Sequence, residues 1–221
     1  MNKQPINKEV TEEDLALIFK SLDELNLELS KVASEIFKNE TDKKVLYKAS
    51  HYCFSIVHRA IELNRAYKTL TNVNNYITAI TLIRLQADNC MRLFALSLVE
   101  NRRDFYEEVM KGTHIRNLKD GDGKKMTDAY LADKLDKIFP EFKNLYQNTS
   151  GFIHFSNEHI FLNNTRTETE DTFRMTTLIS KTAELSMEKK VDYSFNMFYV
   201  GKNLYKLLKG YKSSMAEFLK D

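Results

Sequence analysis

Three side chains that can hold or transfer protons recur at four-residue intervals late in the chain: Tyr146, Ser150 and His154. Residues four apart lie on one face of an α-helix, so the segment PEFKNLYQNTSGFIHFS predicts a helical strip on which these groups converge. Imidazole can take or give a proton near neutral pH, and the two hydroxyls can position a polar ligand. The pattern indicates acid–base chemistry or phosphate contact. A buried, satisfied hydrogen-bond network of the same side chains is the structural alternative.

A second pair of functional groups interrupts an apolar helix earlier in the chain. The stretch 74–100 is apolar almost all the way round, so it predicts a helix surrounded by other helices. Arg84 and Asp88 stand one turn apart within it, with the cation first, which is the weaker order for helix support. We therefore interpret this pair as placed for something other than local helix stability.

Composition limits the fold class and the cellular location. The chain has 221 residues, 43% of them hydrophobic, with two prolines and six glycines, which favours long helices around one core. The 33 basic and 31 acidic residues give a formal charge of +2, so the overall charge signals neither nucleic acid nor membrane, although a local patch is not excluded. The polar N-terminus, the lack of a long apolar run and two cysteines inside helical patterns predict a cytoplasmic protein that is neither exported nor membrane-bound.

Apolar spacing predicts an all-α fold: a multi-helix up-down bundle with a small β-hairpin before the last long helix. Residues 1–10 are expected to be flexible and residues 11–221 to form one helical domain. The first helix has an apolar seam in 3-4 spacing: Leu15, Ile18, Leu22, Leu25, Leu29, Val32 and Ile36. This seam favours packing inside the bundle, with a homodimer interface as the alternative. The Thr-, Ile- and Phe-rich segment at about 159–178 predicts the hairpin.

A basic segment with two glycines, THIRNLKDGDGKKM, predicts an exposed, mobile loop. Its basic residues Arg116, Lys124 and Lys125 are candidate phosphate-binding groups, although neither the phosphate-loop spacing nor the later ligands of a calcium-binding EF-hand are present. His51 and His58 lie two helical turns apart, which is too far to share one metal ion. We predict neither a metal site nor another cofactor.

The helix with Arg84 and Asp88, the later Tyr-x-x-x-Ser-x-x-x-His segment and the hairpin resemble a group of uncharacterised bacterial helical proteins. They are also loosely similar to the HEPN superfamily, whose bundles often act as metal-independent ribonucleases in toxin–antitoxin and antiviral systems. The resemblance extends from about residue 74 to the C-terminus. The usual HEPN signature places an Arg and a polar residue shortly before a His in one helix. Here Asn148 would match the polar neighbour, and the cation would come from Arg84 or a dimer partner.

The resemblance implies an RNA-binding protein or ribonuclease, and the residue types fit it. Arg84 would bind a phosphate, and Asp88 would orient Arg84 or His154. His154 would act on a ribose hydroxyl or a leaving oxygen, aided by Ser150 and Tyr146, without a metal. The competing interpretation is a non-catalytic bundle, a protein-interaction or regulatory module in which these groups form a structural network. A catalytic cluster must open to a basic cleft, whereas a structural one is sealed by apolar side chains.

Overall fold

A computed structural model describes residues 10–154, 156–157, 159–160, 164–169, 172–177 and 185–218. The described chain is mostly helical, so the all-α prediction is confirmed. Its α-helices are α1 (Glu12–Asp42), α2 (Lys48–Asn72), α3 (Tyr76–Leu98), α4 (Arg102–Met110), α5 (Asp128–Asp136), α6 (Phe142–Ser150) and α7 (Met187–Phe218). A 3₁₀ turn spans Ile115–Asn117. Of the predicted flexible N-terminus, residues 1–9 lie outside the described ranges.

Helix α1 begins at a capping box and buries its apolar seam inside the protein. The Thr11 hydroxyl accepts the Asp14 N–H at 3.4 Å, and the Asp14 carboxylate accepts the Thr11 N–H at 2.9 Å. This reciprocal pair satisfies two amides that have no partner within the helix. From its third member onward the seam is buried between α1, α2 and α7: Leu22, Leu25, Leu29, Val32 and Ile36. The seam is therefore filled within the chain.

The first three helices run alternately up and down. Residues 43–47 join α1 to α2, and residues 73–75 join α2 to α3. These short connections place successive helices side by side in opposite directions. Lys68, near the end of α2, accordingly pairs with Asp23, near the start of α1, at 2.5 Å.

Helix α7 departs from the predicted up-down order because it runs parallel to α1. Lys202 of α7 pairs with Glu28 of α1 at 2.8 Å. Further towards the C-terminal end of both helices, Lys212 pairs with Glu35. The up-down prediction is therefore wrong for the last helix. The physical reason is a long crossover, residues 99–186, which carries the chain from the end of α3 back to the end at which α1 and α3 begin.

Two antiparallel strands lie within the crossover. β1 (Asn164–Thr169) pairs with β2 (Thr172–Thr177) in a register that runs from Asn164 opposite Thr177 to Thr169 opposite Thr172. Residues 170 and 171, which join the strands, lie outside the described ranges.

Within the described ranges no helix is both long and apolar enough to cross a lipid bilayer.

Part of the basic segment predicted to be an exposed, mobile loop forms a compact turn. Asp120 is buried, and its Oδ1 accepts the N–H groups of Asp122 at 3.1 Å and Lys124 at 2.8 Å. Met126, at the end of the turn, is fully buried. The Asp120 carboxylate therefore satisfies the turn's own backbone. Lys124 and Lys125 are exposed, as predicted.

Because several tyrosines are buried, we predict that the protein loses stability at alkaline pH. Burial raises the pKa of Tyr52 and Tyr67, and it raises the pKa of Tyr146 to about 12. Unfolded tyrosines ionise near pH 10, so this contribution to stability is complete below that pH and is lost as pH rises towards the folded pKa values. We expect the free energy of unfolding, from urea titrations, to fall above pH 10 by about 1.4 kcal/mol per pH unit for each such group. Tyr67→Phe should make the decline shallower, and an unfolding free energy that stays constant to about pH 12 would contradict the prediction.

Candidate functional site

One side of α3 is an open polar stripe. Most of the helix is buried, but Arg84, Asp88 and Arg92 are only partly covered. Their four-residue spacing places them on one face, which lies between α2 on one side and α5 and α6 on the other. The prediction that other helices surround α3 completely is therefore wrong along this face. We call Arg84, Asp88 and Arg92 the α3 stripe.

Arg84 is a half-buried cation that contacts α6. Its Cζ lies 3.3 Å from the centroid of the Tyr146 ring, and its Nε donates to the Ser150 Oγ at 3.2 Å. The Ser150 hydroxyl in turn donates to the Tyr146 backbone carbonyl at 2.7 Å. Burial lowers the pKa of Arg84, although an arginine remains charged at neutral pH. In the described part of the chain no carboxylate lies within salt-bridge distance of Arg84.

Asp88 is occupied by arginines other than the one predicted. It accepts from Arg92, one turn further along α3, at 2.7 Å and from Arg59 of α2 at 3.2 Å. The predicted role of orienting Arg84 or His154 is therefore wrong for direct contact, because Arg59 and Arg92 reach the carboxylate instead. Burial would lower the pKa of Arg92, but Asp88 and Asp128 outweigh it and raise that pKa.

Asp128 holds Arg92 of the α3 stripe from α5. It is the first residue of α5, where Thr127 caps the helix by accepting the Tyr130 N–H at 3.3 Å. Its carboxylate accepts from Arg92 at 2.8 Å, and its negative charge adds to the effect of burial in raising the pKa of Tyr146. The α3 stripe is therefore framed by α2, α5 and α6, and its arginines outnumber its acids.

His154 lies beyond the helix that was predicted to carry it. Helix α6 ends at Ser150, and the chain continues in turns, with the Ile153 N–H donating to the Ser150 carbonyl at 3.2 Å. The predicted strip is confirmed for Tyr146 and Ser150, which meet at Arg84, and is wrong for His154. The imidazole is exposed, and no contact in the described residues joins it to the α3 stripe.

The predicted binding residues lie in three different places. Asn148 is on another flank of α6, where it donates to the Asn144 side chain at 3.2 Å and faces a groove towards α7. Arg116 is exposed in the 3₁₀ turn and lines a cleft at the end of the α3 stripe. Lys124 and Lys125 are exposed in the compact turn, and no described contact links them to the stripe.

A row of buried carboxamides, which the sequence interpretation missed, connects the stripe to the core. Asn64 donates to Asn26 at 2.7 Å, Gln86 to Asn64 at 3.0 Å, and Asn89 to Gln86 at 2.8 Å. Arg59 then donates to the Asn89 oxygen at 2.7 Å. The four amides are each at most 8% exposed. Arg59 is consequently held from the core as well as by Asp88.

Gly201 of α7 lies beside this row of amides, where α7 approaches Leu25 of α1 closely. A Cβ there would lie only 2.7 Å from Leu25 Cδ2, so a larger residue would crowd Leu25, whereas Gln86 Nε2, at 3.8 Å, would be in ordinary contact. Two features of the sequence could have indicated the row of amides. Asn26 is a polar residue beside the apolar seam of α1, and Gly201 is a glycine inside a helix. Arg92 also carried a signal, because it continues the spacing of Arg84 and Asp88.

No protein-family model matches this chain, and neither the curated proteins nor the solved structures contain a match. The HEPN resemblance therefore gains no support from relatives. Function has to be argued from the α3 stripe and its neighbours.

Proposed function

We propose that this protein is a HEPN-like RNA-binding effector of the bacterial cytoplasm, one that holds RNA phosphate at Arg84 and cleaves RNA without a metal. The toxin–antitoxin or antiviral setting belongs to the same proposal. The observation that carries the binding step is the Arg84 guanidinium, a partly buried cation with no carboxylate partner among the described residues. Such a group can accept an anionic ligand without first breaking a salt bridge.

The contacts of Arg84 fix its orientation and leave donors for a ligand. Stacking on Tyr146 sets the plane of the guanidinium, and Ser150 occupies the Nε–H. The described contacts assign no partner to the two terminal nitrogens. A fixed guanidinium with free terminal N–H groups suits the two-point binding of phosphate oxygens.

The surrounding charges favour an anion. Arg59, Arg84 and Arg92 stand against Asp88 and Asp128, which leaves one excess positive charge. The Asp88 and Arg92 side chains are only 20% and 23% exposed, so solvent screens this charge less than it screens an open surface. These charges supply attraction to the RNA backbone but no base specificity.

Cleavage is assigned to His154 because its imidazole is exposed and lies in the turn that follows Ser150. In the proposed step the imidazole takes the proton of a ribose 2′-hydroxyl, and that oxygen attacks the adjacent phosphorus. The 5′-oxygen leaves and takes a proton from solvent water, which yields a 2′,3′-cyclic phosphate, and the protonated imidazole returns its proton to solvent. Arg84 stabilises the charge on the phosphate oxygens.

The binding step is tested by titrating labelled single-stranded RNA against the protein and following fluorescence anisotropy. Arg84→Ala should raise Kd about 10-fold or more, equivalent to about 1.4 kcal/mol. The slope of log K against the logarithm of the salt concentration should also fall by the amount expected for the loss of about one phosphate contact. Arg65→Ala is the matched control, because Arg65 is an exposed arginine of α2 paired with Glu62 at 2.7 Å. Its Kd should stay near that of the unmodified protein.

The competing function is a non-catalytic bundle that acts as a protein-interaction or regulatory module. In that case the unmodified protein shows no salt-dependent RNA binding, and Arg84→Ala changes only the melting temperature. Because the apolar seam of α1 is filled within the chain, a partner protein or a second copy would have to dock on another surface.

A further inference from the structure

The α3 stripe leads into a polar cleft of about 460 Å³. Arg92 and Asp128 line this cleft and also belong to the contacts around the stripe. The opposite wall comes from the segment between α4 and α5: Gly112, Thr113, His114 and Arg116. The polar surface that begins at Arg84 therefore continues to the α4–α5 connection.

Arg116 adds an available cation to the cleft. Its side chain is exposed, and no carboxylate of the described ranges lies within salt-bridge distance of it. The nearby Glu108 is already occupied, since it accepts from Lys111 at 2.8 Å and from the Thr113 hydroxyl at 3.0 Å. With Arg92 and Arg116 set against Asp128, the arginine and aspartate side chains that line the cleft carry one excess positive charge.

The wall that carries Arg116 is built of defined turns. Gly112 has a φ of +88°, which permits the reversal after α4. The Asn117 N–H donates to the His114 carbonyl at 2.9 Å, and the Leu118 N–H donates to the Ile115 carbonyl at 2.9 Å. These bonds hold Arg116 beside the cleft, so little ordering is required of the wall when a ligand binds.

We propose that this cleft is a second phosphate-binding site, which takes a backbone phosphate of the same single-stranded RNA that is held at Arg84. This inference rests on the proposed RNA binding. Arg84 and Arg92 are eight residues apart on α3, about 12 Å along the helix axis, so one ligand needs several linked phosphates to engage both ends. A flexible single strand can lower its phosphates into a partly covered stripe, whereas a duplex presents them at fixed positions.

The test compares two ligands that differ in the number of phosphates. A dinucleotide, with one internal phosphate, cannot reach from Arg84 to the cleft, whereas an oligonucleotide about 12 nucleotides long can engage both. Arg116→Ala should raise the Kd of the longer RNA about 10-fold and lower its salt slope by about one, while leaving the dinucleotide Kd unchanged. His114→Ala should weaken the longer RNA in the same direction. Arg103→Ala is the matched control, because Arg103 is an exposed arginine of α4 that pairs with Glu107 at 3.2 Å.

The outcomes separate the second site from the primary one. If Arg84→Ala weakens both ligands and Arg116→Ala weakens neither, the second site is overturned and the proposed RNA binding stands. If the unmodified protein binds neither ligand, the proposed function fails and the second site fails with it. Arg116→Glu should weaken the longer RNA more than Arg116→Ala does. Arg116→Ala and Arg116→Glu should both keep the melting temperature of the unmodified protein, because the Arg116 side chain is exposed.

Discussion

Gln86→Ala should lower the free energy of unfolding by about 3 to 5 kcal/mol. Gln86 is fully buried and makes three hydrogen bonds: to the Asn64 oxygen at 3.0 Å, to the Ala60 carbonyl at 3.3 Å, and from Asn89 at 2.8 Å. Truncation removes all three hydrogen bonds and leaves a cavity. It also leaves polar atoms of Asn64 and Asn89 without partners, away from water. Each of these changes is costly in a protein interior.

Urea unfolding followed by circular dichroism measures this loss. Gln147→Ala is the matched control, because Gln147 is an exposed glutamine of α6 and its removal should change stability by less than about 0.5 kcal/mol. Gln86→Leu keeps most of the volume and loses the hydrogen bonds, so it should still cost about 2 kcal/mol. A Gln86→Ala variant as stable as Gln147→Ala would show that the buried row of amides does not form.

His154→Ala should reduce RNA cleavage by about 10² to 10⁴-fold in the presence of a chelator. The proposed reaction uses the imidazole to remove the ribose proton, and the other groups involved are protein side chains. Because His154 is exposed, the substitution should leave the melting temperature unchanged. The measurement is the rate of release of 2′,3′-cyclic phosphate ends from labelled RNA.

His58→Ala is the control for that experiment, since His58 is an exposed histidine on α2. It should cleave RNA at the unmodified rate. Cleavage that survives in His154→Ala would assign the proton transfer to another group. Binding without any cleavage would make the protein an RNA-binding protein that does not act as a nuclease.

The part of the site that could be predicted from the sequence is the part set by helical spacing. Tyr146 and Ser150 are four residues apart within α6 and do meet one long-range partner, Arg84. The contact of Asp88 with Arg59 could not be predicted in this way, because Arg59 belongs to α2 and only the packing of two helices brings the two side chains together. His154 shows the limit of the same rule, since its spacing has meaning only while the helix continues.

The fold has a similar division between local and long-range information. The apolar seam of α1 correctly predicted a helix packed along its length against other helices of the chain. Seam spacing is the same for parallel and antiparallel neighbours, so it could not predict the direction of α7. That direction depends on where the long crossover ends.

The parallel pairing of α1 with α7 has a consequence for the order in which the protein folds. Lys202 and Glu28 are 174 residues apart in sequence, so this interface forms only after the residues of α7 have been synthesised. By contrast, the contacts around the α3 stripe join residues between Arg59 and Ser150. During synthesis the residues of the candidate site therefore emerge before the helix that completes the core, and for that interval a growing chain exposes the apolar side of α1 that α7 later covers.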